Sequence, residues 1–168
     1  MNRIAEFEKV SYEQFKKDIF NIMPNAIEEN IVRWYNNIKL PERATKGSAG
    51  YDFRTPFGFD LSNTFTRVVP TGIRCRFIDN SGYVLMCFPR SGMGFKYGFG
   101  LNNTVGIIDE DYYYADNEGH IMLSIKTNKM LIANEGDKIA QGIFVPYGIT
   151  LNDNSDKTRT GGFGSTGK

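Results

Sequence analysis

From about Lys39 onward the chain never sustains a helical period: short runs rich in Val, Ile, Phe and Tyr alternate with Gly, Asn and Asp, a rhythm that confines the fold to strands and turns. The runs with the best alternation are Thr66 to Val69, Gly72 to Phe77, Tyr83 to Phe88, Ile121 to Thr127 and Lys138 to Val145. Many short strands with no long helix between them predict an all-β barrel or sandwich over residues 38–154.

The two ends depart from this texture. The first 37 or so residues read as helical. Ser11 and Gln14 form a capping box ahead of Tyr12, Phe15, Ile19 and Ile22, and Pro24 stops the run. A second helix is expected to start at Asn25, with Glu28 three residues on and a stripe of Ile27, Ile31, Trp34 and Ile38. Both stripes are expected to cover the β body, with partner binding as the alternative. Residues 155–168, SDKTRTGGFGSTGK, carry too much Gly, Ser and Thr to order alone and predict a flexible tail.

A chain of 168 residues that is 40% hydrophobic can bury the core of one domain with an appendage, not of two full domains. Lys and Arg number 20 against 19 acidic residues, which removes the basic field that a nucleic-acid polymer requires. No run approaches the roughly 20 apolar residues of a membrane span, and MNRIAEFEKV is not a signal peptide, so the expected location is the cytoplasm. Cys75 and Cys87 lie in alternating apolar runs outside any CxxC or Cys/His cluster, which predicts buried, reduced thiols.

Candidate chemistry is concentrated in residues 89–112, PRSGMGFKYGFGLNNTVGIIDEDY. Arg90 offers a fixed fork of donors, and Ser91 with the amide of Gly92 adds short-range ones, a set suited to phosphate oxygens. The same fragment also reads as a surface turn whose Arg pairs with a neighbour. Asp109 and Asp111 stand two apart, so in an extended strand they would project to one face as a catalytic or metal-linked pair. The alternative is a solvated acidic hairpin. The C-terminal GGFGSTG can approach an anion closely but lacks the Lys and helix of a P-loop. His120, the sole histidine, is expected to make surface hydrogen bonds.

Taken together and in order, AGYDF at Ala49, PRSGM at Pro89, NTVGIIDEDY at Asn103, GDKIAQGIF at Gly136 and RTGGFGSTG at Arg159 resemble the five motifs of the trimeric deoxyuridine triphosphatases, over Ile38 to Lys168. The overall form resembles the longer bacterial or phage members, which places the expected cytoplasm in a bacterial cell or a phage-infected host. The resemblance implies a distorted jelly-roll β-barrel in a homotrimer that shares its sites between chains, and Mg2+-assisted hydrolysis of dUTP to dUMP and pyrophosphate.

It further implies that Arg90, Ser91, Gly92 and Gln141 hold the triphosphate, and that Asn103 with the backbone from Gly106 to Ile108 reads the uracil. Tyr112 would lie under the deoxyribose and exclude a 2′-hydroxyl, and Asp109 would activate water. Asp52 would anchor the water around a Mg2+ held mainly by the phosphates. Arg159 would reach the γ-phosphate, and Phe163 would stack on the base as the tail, with Gly164 and Ser165, closes as a lid.

The chain departs from the common pattern in four ways. It has eight residues, YYADNEGH, between Tyr112 and Ile121; it has Lys138 in place of an Arg; Arg159 is separated from the Gly pair by one residue, not two; and it carries the N-terminal extension. Two rival readings share the fold. A dCTP deaminase would use a Glu where this chain has Ser124. A phage-encoded regulator would capture a partner through the N-terminal helices.

Overall fold

The computed structural model describes residues 2–62, 66–78, 81–157, 159 and 161. Its first element corrects the expectation of a wholly helical N-terminus: Ala5–Lys9 is a strand, β1. Glu6 and Glu8 alternate with Phe7, whose ring packs 5.4 Å from Tyr51 and 5.6 Å from Phe53. The period is two, that of a half-buried strand.

α1 (Tyr12–Ile22) begins as expected, with the Ser11 hydroxyl accepting the Gln14 amide at 3.1 Å. α2 (Glu28–Asn37) begins later than expected; Ile27 is its N-cap with no side-chain cap, because Asn25 and Ala26 are used in the turn, where the Ala26 amide bonds Met23 O. Phe15, Ile19 and Ile31 are fully buried, so both helices cover the body as the apolar stripes predicted.

The body runs through β2 (Glu42–Arg43), β3 (Tyr51–Arg54), β4 (Phe59–Asp60), β5 (Thr66–Pro70), β6 (Ile73–Phe77) and β7 (Tyr83–Pro89). It continues through a short helix α3 (Ser91–Tyr97), β8 (Gly100–Leu101), β9 (Gly106–Ile108) and a 3-10 turn at Glu110–Tyr114. It closes with β10 (Met122–Lys126), β11 (Ile132–Ala133) and β12 (Lys138–Pro146). The five strands expected from alternation are β5, β6, β7, β10 and β12, each within a residue or so of its expected bounds. α3 was not expected, since PRSGMG reads as a Gly-flanked turn; Gly98 ends it at a φ of 61°, which glycine adopts without strain.

All strand pairs are antiparallel, and the largest sheet has the order β2-β3-β12-β7-β9. β5-β10-β8 forms a second sheet, with β1-β6 and β11-β4 as ribbons. This is an all-β body of jelly-roll type with small helical parts. β12 is central, and Gly142 on it lies so close to Leu85 and Phe53 that a Cβ there would meet their side chains at 2.8 and 2.9 Å. Those two side chains come from the flanking strands β7 and β3 and close over Gly142.

Two expectations about local placement are corrected here. Asp109 and Asp111 do not share a strand face, because β9 ends at Ile108 and Asp109 caps the 3-10 turn that contains Asp111. His120 is not on the surface but fully buried, held by Asp18 from α1 and by the backbone of Gly72.

Candidate active site

The first cleft forms where β3, β7, α3 and β12 meet. The register sets Gln141 beside Asp52 on one side and Phe88 on the other, and Ala140 beside Pro89. Arg90, the residue after β7, thereby comes over β3, and its Nε stands 3.1 Å from Asp52 Oδ1. Lys138 Nζ is 2.6 Å from Asp52 Oδ2, so the nearly buried carboxylate is held between two cations. The volume is about 520 Å³, and Ser91, Gly92 and Gln141 line it with Asp52 and Arg90, among others. Gly50 makes room for Gln141: a Cβ there would stand 2.6 Å from Gln141 Oε1. The surface-turn reading of Arg90 is half right, since it does pair with a carboxylate, but that carboxylate lines the same cleft.

A second, narrower slot of about 210 Å³ opens between β9 and the start of β10, lined by Asn103, Gly106, Ile107, Ile108, Leu123 and Ser124 among others. The edge strand β9 pairs only with β7, and Gly106 sits opposite Cys87, where a Cβ would press on the Cys87 side chain at 3.2 Å. Its mostly apolar lining, with Asn103 and Ser124 as polar groups, suits a small ring with a polar edge. Burial pushes the Cys87 thiol up to about 12, leaving it an inert part of the wall. Ser124 accepts from Asn102 Nδ2 at 2.8 Å, so the deaminase position is occupied by a hydroxyl that lines the slot.

The third cleft, about 530 Å³, holds Asp109 and Asp111 with Arg76, Tyr113, Tyr114 and Tyr147. Arg159 folds onto this corner. Its Nη2 donates to Asp109 Oδ2 at 2.9 Å, its Nε lies 3.2 Å from Asp111 Oδ1, and its guanidinium stands 5.5 Å from the centre of the Tyr112 ring. Both aspartates remain about half exposed. Tyr112 is buried; its hydroxyl donates to His120 O at 2.9 Å and accepts from Asn117 Nδ2 at 2.9 Å, and burial raises its pKa.

The sequence-derived candidates therefore fall into three neighbourhoods of one chain: Asp52, Arg90, Ser91, Gly92 and Gln141; then Asn103, Gly106 and Ile108; then Asp109, Tyr112 and Arg159. Asp109 does not line the cleft of Arg90. Phe163, Gly164 and Ser165 lie outside the described residues. Sequence reasoning read Cys87 as a buried thiol, as it is, but missed its place in the wall of the slot and the grip of Lys138 on Asp52. The strand alternation pointed to burial of the thiol, and the register of β12 on β3 decides the grip. Among the described residues no group of three or more His, Cys, Asp or Glu could cage a metal, and no helix is long and apolar enough to cross a membrane.

The all-β body with its clefts at Arg90 and at β9 has the architecture of a family of nucleotide hydrolases, as comparison with known proteins shows. The family model for dUTPase matches residues 36–167, and the chain belongs to the dUTPase family. The deoxyuridine 5'-triphosphate nucleotidohydrolase of Lactococcus lactis is 38% identical over 144 residues, covering 82% of this chain and 95% of that protein. That of Hahella chejuensis is 39% identical over 141 residues, covering 79% and 89%. The dUTPase structure from Streptococcus mutans superposes with a TM-score of 0.62 at 31% identity over 86% of this chain and 97% of that one. The fold is also shared with the dUTPase of Staphylococcus aureus phage phi11, at 21% identity and a TM-score of 0.61 over 93% and 97% of the two chains. The family match begins at residue 36, so the N-terminal extension is outside it.

Proposed function

We propose that the chain hydrolyses dUTP to dUMP and pyrophosphate in the cytoplasm of a bacterial cell or phage-infected host. The observation that carries this reading is the provision, in one family member, of a ring-sized slot, an Arg90–Ser91–Gln141 cleft and a carboxylate, Asp109, beside a buried aromatic ring. The curated relatives bear the name of that activity. Asn103 and the β9 backbone read the uracil edge, and Tyr112 lies under the deoxyribose. Arg90, Ser91, Gly92 and Gln141 take the phosphates.

Asp109 accepts a proton from water as the oxygen attacks the α-phosphorus in line with the departing pyrophosphate. Half-exposed, it can reach water once Arg159 leaves it. Arg159 then serves the γ-phosphate, and residues 155–168 close as a lid that expels bulk water and strengthens the contacts to developing charge. Phe163, Gly164 and Ser165 complete that lid over the base.

A structure of the phage phi11 enzyme describes a structural Mg(II) ion. In this chain both oxygens of Asp52 already face cations, and no cage of three acidic or imidazole ligands exists among the described residues. With so few protein ligands on offer, a Mg2+ would be held chiefly by the triphosphate, and Asp52 would take part only through water. When bound, Mg2+ neutralises charge on the phosphates and on the leaving pyrophosphate.

The separation of the three neighbourhoods on one chain supports a homotrimer in which neighbouring copies juxtapose them. The test is pyrophosphate release from each dNTP and UTP, with and without Mg2+, alongside the solution mass. Mg2+-dependent, dUTP-selective release by a trimer is expected. Equal turnover of dCTP or dTTP, or full activity in a species of 19.0 kDa, overturns the corresponding part.

A further inference from the structure

The N-terminal segment, which precedes the family match, and the 113–120 segment are fastened to each other. The Ser11 amide and hydroxyl both donate to the Glu118 carboxylate, at 2.7 and 2.6 Å. Tyr113 donates its hydroxyl to Glu8 at 2.9 Å, and the Arg74 guanidinium lies 4.4 Å from the Tyr113 ring centre. Deeper in, Asp18 Oδ2 accepts from His120 Nδ1 at 2.6 Å and from Gln14 Nε2 at 2.7 Å. The Gly72 amide donates to His120 Nε2 at 2.7 Å, so the ring proton sits on Nδ1 and points at Asp18.

This clamp holds a loop that does not relax by itself. Glu118 has a φ of 57°, uncommon for a residue with a side chain, and Gly119 follows at 69°. A Cβ on Gly119 would collide with the backbone of Tyr113 at 2.7 Å and of Tyr112 at 2.8 Å. Backbone held in sparse regions persists only where its surroundings over-determine it. Here the surroundings are α1 and its cap. The loop's last residue, His120, supplies the carbonyl that receives the Tyr112 hydroxyl.

We propose that Asp18 is a positioning residue for sugar discrimination: through His120 it holds Tyr112 at the depth at which the ring accepts a deoxyribose and excludes a 2′-hydroxyl. The proposal rests on the reading of Tyr112 as the sugar-facing ring. A segment that lies before the family match, which begins at residue 36, thus takes over the support of this loop. Releasing it lets Tyr112 recede, which loosens contact with deoxyribose and admits ribose.

The experiment measures kcat and KM of the full chain for dUTP and UTP. Asp18→Ala is expected to narrow the dUTP/UTP ratio of kcat/KM by about tenfold, within the range of one charged hydrogen bond, chiefly through KM for dUTP. Asp18→Asn, whose amide oxygen can accept from both His120 and Gln14, restores most of the ratio. Lys16→Met breaks the exposed Lys16–Glu28 bridge between α1 and α2 and leaves the ratio unchanged. Glu118→Gln weakens the neighbouring clamp without opening the core; it narrows the ratio less, and decides the matter if Asp18→Ala does not fold.

An unchanged ratio in Asp18→Ala or, in its place, Glu118→Gln overturns the proposal even if stability falls, as does an equal loss in Lys16→Met. A wild-type chain that turns over dUTP and UTP equally overturns the reading of Tyr112 and the proposal with it. A selective wild type with unaffected variants overturns the positioning role alone.

Discussion

Arg159 Nη2 lies 2.9 Å from Asp109 Oδ2, so the residue read as the general base is paired with a cation from the chain's own C-terminal segment. The same guanidinium stands over Tyr112. In the proposed mechanism, nucleotide binding exchanges this contact for phosphate, which couples exposure of the base to arrival of the substrate.

Asp109→Asn keeps the shape and a hydrogen-bond acceptor but removes the proton acceptor. Turnover is expected to fall by about 10² to 10⁴, the range of a positioned acid–base group, while binding of a non-hydrolysable dUTP analogue persists. Steady-state kinetics with calorimetric titration reads both. Near-normal turnover in Asp109→Asn, with loss in Asp111→Asn, would assign the base to the other carboxylate.

Truncation before Arg159 removes the lid and the cation together. Turnover is expected to collapse while thermal stability stays nearly unchanged, because a segment of mostly Gly, Ser and Thr carries little apolar surface to bury. Thermal melts and pyrophosphate release on the same sample check this, and undiminished activity counts against the lid. Phe163→Ala should act in the same direction by about 1 to 3 kcal/mol, the worth of one stacked base.

Gly142→Ala places a methyl against Leu85 and Phe53, both fully buried and unable to withdraw. Overpacking of this kind costs about 1 to 3 kcal/mol. Urea denaturation should show a lower midpoint with the slope unchanged; a midpoint equal to wild type would mean that the core yields more than its packing implies.

The two thiols provide an independent check of the core. Cys75 and Cys87 are free and buried, and burial raises both pKa values, that of Cys87 to about 12. Thiolate is the reactive form, so both should resist a thiol reagent at neutral pH in the native state and react together on denaturation. Rapid labelling of either in the folded protein contradicts the packing of β6 and β7.

Much of the fold was legible in the chain because it is encoded within single segments. Alternation marked β5, β6, β7, β10 and β12, and the Ser11–Gln14 cap marked the start of α1, since a strand face and a helix cap each depend on residues a few positions apart. The motif residues were likewise legible in order, although not in space. Tertiary structure decided whatever depends on distant partners. β1 is too short to announce itself, and becomes a strand because β6 offers Arg74 and Arg76 opposite Glu8 and Glu6. His120 can be buried because Asp18, 102 residues away, arrives to accept the hydrogen bond of its Nδ1. The two aspartates of the third motif separate because a 3-10 turn replaces the strand that their spacing suggested. The division of the site into three neighbourhoods follows from strand register, a long-range property that no local pattern carries.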